Sequence, residues 1–222
     1  LLLDKTKSHR EHFAFKHHYI TQALDSDILC RLFLAMGEHR AVEIENLSRR
    51  AKKPSMLRIL PLRVFISVQN GRQYLMAWLF SEKKMTSFRL DYILSVKPLE
   101  VSEDFSSYRA QLDRMQEHMW GVAARSETPL EHVEFVVRYR EEEQHIYNRL
   151  LREKRCGTVE KLDEHSCRFS AEGYDVNEMI PWIRTFLCRI TELHFSNQAL
   201  EEKFRRDLKA MYAMYGVGGE EK

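Results

Sequence analysis

The sequence predicts an α+β protein: a small SH3-like or Sm-like β-barrel over residues 26–99, then a ferredoxin-like βαββαβ domain over 130–222. Residues 1–25 read as a connecting segment and 100–129 as a helical linker. Three observations carry this. Pro61–Leu99 is the clearest β-signal in the chain, two apolar runs hinged at Asn70-Gly71 and followed by a third. From Val133 to Phe195 the apolar period alternates between that of strands and that of helices, in the order β-α-β-β-α-β. The charge also changes sign. Residues 1–100 hold 17 Lys and Arg against 10 Asp and Glu, while 101–222 hold 18 against 23. A basic half and an acidic half fit two domains with different partners, or two solvated surfaces.

In chain order, His9, His12, His17 and His18 cluster near the start, without the i, i+4 pair that metal-binding helices use. Ser26–His39 is predicted helical, with Ile28, Leu29, Leu32, Phe33 and Met36 as its stripe and Gly37 at its end. Arg40–Leu47 alternates as a strand, with Val42 and Ile44 on one face. The basic loop Ser48–Lys53 follows. Asn-Gly is a preferred pair for a two-residue type I′ turn, so Leu62–Gln69 and Arg72–Phe80 are expected to form a hairpin around it. Thr86–Val96 is the next strand, Lys97–Asp104 a linker and Ser107–Trp120 a helix.

In the second half, strands are expected around Val133–Tyr139, Gly157–Leu162, Ser166–Ala171 and Arg189–Phe195. Helices are expected at Glu141–Lys154 and Asn177–Leu187, with Pro181 in the first turn of the latter. A last helix, Asn197–Tyr215, repeats Leu200, Phe204, Leu208, Met211, Tyr212 and Tyr215. That stripe must be buried, on its own domain or on a second subunit.

The four cysteines are far apart, so neither a zinc site nor a disulfide framework is expected. No run is apolar enough to span a membrane and no signal peptide is visible, which makes the expected location cytoplasmic. Motifs for nucleophilic, phosphate-binding, dinucleotide or metal-hydrolase chemistry are absent from the sequence, so no enzyme and no cofactor is expected. Arg152, Lys154 and Arg155 precede Cys156 and could lower its pKa, but a lone cysteine in such a place is more often inert.

Binding is the better-supported class. Ser48, Arg49, Arg50, Arg72, Tyr74, Trp78 and Arg89 combine planar cations suited to phosphate with rings suited to stacking on bases. Arg72, Tyr74 and Trp78 share strand parity, and Arg89 points away from the core that Phe88 and Leu90 fill. Tyr74 and Trp78 also fit a core role, with their polar tips bonded.

GRQYLMAW followed by FRLDYI resembles the WYL domain family of bacterial regulatory modules, with Gln73 at the first letter of the triplet and Tyr92 where members carry Arg. MIPWIRTFLCRITELHF resembles the C-terminal extension that follows WYL domains. The resemblance implies the same barrel fold and an anionic-ligand pocket using Ser48 with Arg50, Tyr74 and Arg89; Tyr92 completes the candidate set. It also implies a homodimer that controls DNA through a helix-turn-helix, a unit not visible in this chain. The expected ligand is single-stranded DNA or RNA, or a nucleotide. A dimerisation module without a ligand is the alternative.

Overall fold

The structure is a computed structural model and describes residues 26–47, 53–67, 71–123 and 129–216. The chain divides into two compact units, with Gln116 closing the first long stretch and Glu117–Trp120 belonging to the second.

In the first unit, helix α1 (Ser26–Gly37) precedes strands β1 (Arg40–Asn46), β2 (Ser55–Ile66), β3 (Gln73–Leu79), β4 (Lys84–Arg89) and β5 (Ile93–Val101). The strands make one antiparallel sheet in the order β4-β3-β2-β1-β5. Only Leu90–Tyr92, one 3₁₀ turn, joins the two edge strands. Four residues from Arg89 to Ile93 span at most about 14 Å of chain. A flat five-stranded sheet would hold its edges about 19 Å apart, so the sheet must curl until its edges approach.

α1 buries Ile28, Leu29, Leu32 and Ala35 against Val42, Ile44, Ile59, Leu75 and Phe88. Each large side chain removed from water here contributes about 2 kcal/mol. Phe33, expected in this stripe, is 49% exposed; the buried arc of the helix is narrower than the apolar one. The opposite face of the sheet, with Leu60, Met76 and Met85, lies under helix α2 (Phe105–Gln116). There Tyr108 stacks on Trp78 at 4.3 Å, and Arg109 donates to the Leu62 carbonyl. α2 is thus a structural layer of this unit, shorter than the Ser107–Trp120 helix expected.

Three local expectations change. The hairpin does not close in two residues: Ser67 N–H donates to Arg72 O at 2.8 Å, Gly71 N–H to Ser67 O at 2.7 Å, and Ile66 faces Gln73. Gly71 keeps the positive φ expected of it, +68°. The register is set by the core, which places Val64 opposite Leu75 and leaves Ile66 64% exposed. The run Thr86–Val96 is two strands, broken at the turn. The segment from Lys97 is strand through Val101, because β5 is an edge where the missing N–H of Pro98 costs no ladder bond. Pro61, in a central strand, sits beside a register shift at Arg63 for the same reason.

The second unit has strands β6 (Glu131–Arg138), β7 (Thr158–Lys161), β8 (Ser166–Gly173) and β9 (Ile190–Phe195) in the antiparallel order β7-β8-β6-β9. Helix α3 (Gln144–Glu153) links β6 to β7, and α4 (Ile180–Ile183), flanked by 3₁₀ turns, links β8 to β9. Each linked pair has one strand between its members, which makes two interleaved split βαβ units. The single helix expected over Asn177–Leu187 is mostly 3₁₀. Phe135, Phe169, Trp182, Phe186 and Trp120 form an aromatic core, with the two Trp rings 4.7 Å apart. At Gly157, φ is +79° and a Cβ would lie 2.4 Å from the Ser170 carbonyl, so only glycine fits.

Helix α5 (Gln198–Met214) starts at Asn197, whose side chain accepts from Leu200 N–H. Its Glu201 accepts from Phe195 N–H at 3.1 Å, and Arg205 reaches Leu193 O at 3.5 Å. Those two side chains, paired with each other, cover the outer edge of β9. Leu200 and Phe204 are buried in this unit's own core, which answers the expectation for the stripe's first half; Tyr212 and Tyr215 remain exposed.

Candidate functional site: a tyrosine-flanked arginine

Strand pairing brings Tyr74 and Arg89 together. They are direct partners across β3 and β4, on the face opposite Leu75 and Phe88. Arg89 Nε donates to Asp91 Oδ1 at 2.9 Å, and Nη2 to Asp91 Oδ2. The Arg89 guanidinium lies 4.1 Å from the centre of the Tyr92 ring. Both ends of the ion pair are largely covered, with side-chain exposures of 21% and 17%. The hydrogen bonds that Arg89 donates to Asp91 raise the Arg89 pKa against the cost of its burial, so the charge is permanent. The cluster is therefore one fixed cation against the half-buried Tyr92 ring, with half-buried Tyr74 as its cross-strand neighbour.

Tyr92 also ties the cluster to β1, because Leu47 N–H donates to the Tyr92 carbonyl at 2.9 Å. Leu47 immediately precedes Ser48 in the chain. Ser48, Arg49 and Arg50 themselves lie outside the described residues, as do the four N-terminal histidines. Arg72 is half-buried at the start of β3, with strand parity matching Tyr74. Trp78 stands four residues beyond Tyr74, about 13 Å along the strand, and Tyr108 occupies one face of its ring. It serves the packing of α2; the structure does not bring it to the cluster.

Asp91 was missed by the sequence reasoning. The signal was present in Arg-Leu-Asp, since residues two apart in an extended segment share a side. The outer face of the second unit's sheet offers no comparable cluster among the described residues. That face carries Glu134, Glu160, Arg168, Glu172, Glu192 and His194, and its strands place no Phe, Tyr or Trp there. Arg168 is shared between Glu134 at 3.4 Å and Glu160 at 4.0 Å. At Cys156 burial outweighs Arg155 and Lys154 and raises the pKa, as burial raises that of Cys167 to about 11. Neither thiol is activated. Among the described residues, no group of three or more His, Cys, Asp or Glu side chains is placed to hold a metal, and no helix is long and apolar enough to cross a membrane.

The cluster falls within residues 27–98, which match the family model of the WYL domain. The chain carries a WYL domain. No curated protein matches the sequence. Among solved structures, a CRISPR Cas-related protein is similar at a TM-score of 0.55 and 11% identity, over 88% of this chain and 54% of that one. Proteasome accessory factor B/C (PafBC) of Arthrobacter aurescens aligns at a TM-score of 0.38 and 16% identity, over 86% of this chain and 27% of that one. The chain thus spans about half of the first of these structures and about a quarter of the second. The first likeness is one of fold. The match to the WYL model stops at Pro98, before α2 and the second unit.

Proposed function

We propose that the chain is the ligand-sensing part of a bacterial transcription regulator, acting in the cytoplasm without catalysis. Its WYL domain binds an anionic ligand, single-stranded nucleic acid or a nucleotide. The observation that carries this reading is the Tyr74–Arg89–Tyr92 cluster: a permanent cation for a phosphate beside rings for bases, on the half of the chain that is net basic. On this reading the first unit is an SH3-like, Sm-like barrel and the second a ferredoxin-like domain. The strand orders support both, and the short turn between the edges of the first sheet supports closure. Ligand binding biases the arrangement of a homodimer, and so the DNA contacts of attached helix-turn-helix domains.

A fluorescence-polarisation titration with short single-stranded DNA, at low and moderate salt, tests this. Binding that weakens with salt and is lost in Arg50→Ala with Arg89→Ala is the expected result. No binding at low salt, or binding indifferent to both arginines, overturns it. A second reading, an interaction module without a ligand, draws on the exposed end of α5, where Tyr212, Met214 and Tyr215 are 52%, 72% and 71% exposed. Replacing these three with Ser leaves a folded monomer if that reading holds.

A further inference from the structure

The Arg89 guanidinium has two donor edges in its plane. Asp91 occupies the Nε–Nη2 edge with both carboxylate oxygens. An incoming oxyanion then meets the Nη1–Nη2 edge, in a plane that the Tyr92 ring fixes from one side. Asp91 and Tyr92 sit in the turn that joins the two edges of the curled sheet, so their positions are set by the fold. Tyr74 is held across the strand ladder. An unanchored arginine would lose several side-chain rotations on binding a ligand, whereas this one has already lost them on folding.

We propose that Asp91 is a positioning residue. It aims the end edge of Arg89 at a phosphodiester whose neighbouring bases meet Tyr74 and Tyr92. This rests on the sensing function above and adds to it a residue and a ligand geometry: one phosphate contact made end-on, flanked by stacking. A single strand satisfies both halves of that site; inorganic phosphate satisfies only the cation.

The test titrates the full chain with a short fluorescent single-stranded DNA across a salt series, using wild type, Arg89→Ala, Asp91→Asn, Asp91→Glu and the double variant Arg89→Ala with Asp91→Asn. Unlabelled inorganic phosphate serves as competitor, and thermal melts check folding. Asp91→Asn is expected to weaken binding about tenfold and to lower the salt slope by about one phosphate contact, as Arg89→Ala does. Asp91→Glu, which keeps the charge, recovers part of the affinity. In the Arg89→Ala background, Asp91→Asn adds nothing, because the aspartate acts only through the arginine. Phosphate competes only at far higher concentration than the strand.

Asp91→Asn binding as tightly as wild type, or tighter, overturns the proposal and makes Asp91 a competitor of the ligand. A loss that persists undiminished in the Arg89→Ala background also overturns it. If Asp91→Asn fails to fold, Tyr92→Leu with Tyr92→Phe decides. Loss in the first and retention in the second support a fixed guanidinium plane; equal binding in both removes it. Binding by wild type that needs Arg89 but ignores Asp91 and Tyr92 sinks this inference alone. No binding by wild type sinks the sensing function and this inference together.

Discussion

Each unit holds a half-buried arginine gripped by a carboxylate, and the two pairs serve different ends. Arg89 is held by Asp91 two residues away, inside a single turn. Arg189 is held by both oxygens of Glu143, 46 residues away in sequence. Glu143 also accepts from Arg140 N–H at 3.0 Å and so caps the turn that leads into α3. Breaking the second pair loosens the junction of β9 with α3, whereas breaking the first changes little beyond the side chain of Arg89. A pair closed over a short loop orients a side chain; a pair closed over a long one ties elements together. The surroundings follow the same division: two tyrosines flank Arg89, while acids interleave the charges of the second unit's open face.

Substitutions separate the roles of the two arginine pairs. The largest effect is expected from Phe135→Ala, at a fully buried site under the second sheet. It should destabilise that unit by about 3–5 kcal/mol, seen as an early transition in a thermal melt. Next comes Arg89→Ala, which should weaken single-stranded DNA binding by about 10–100-fold, the equivalent of about 1.5–3 kcal/mol for a charged hydrogen-bonded contact. Its melting temperature should stay close to that of wild type. Arg189→Ala should do the opposite, lowering the melting temperature of the second unit while leaving DNA affinity unchanged. Equal loss of affinity in both arginine variants would show that the two pairs are not distinct in role.

The smallest effect is one of pH. The Glu143 carboxyl titrates below its ordinary value, first because Arg140 N–H donates to it and then because of Arg189. A depressed acid stabilises the fold above its unfolded pKa, near 4.5, and that contribution fades as pH falls through the lower folded value. Melting temperature should therefore fall below about pH 4.5, and fall less steeply in Glu143→Gln. Identical acid profiles in the two proteins would remove Glu143 from the account.

Part of the first unit was legible because apolar and polar residues alternate along β1 and around Arg89 at the end of β4. Val42 and Ile44 read as one face, and both are fully buried. The parity of Arg89 against Phe88 and Leu90 placed it away from the core, where the ladder puts it beside Tyr74. The spacing of Arg89 and Asp91 was there in the sequence, but the grip of one on the other shows only in the folded turn, and the packing of Trp78 depends on Tyr108 some 30 residues on. The hairpin shows the same limit. Asn70-Gly71 is a sound local turn signal, yet the pairing of Val64 with Leu75 set the closure elsewhere.

Short-range chemistry in the chain set most segments as helix or strand, because periodicity and the backbone limits of Gly and Pro act over a few residues. It also determined the order of elements in the second unit, and the motif by which the WYL domain is recognised. Long-range packing set the register of β2 on β3, the assignment of α2 to the first sheet, the burial of Leu200 and Phe204 of α5 within their own unit, and the locking of Arg89. These depend on which distant surfaces meet, and burial over a whole interface outweighs any single turn or helix preference.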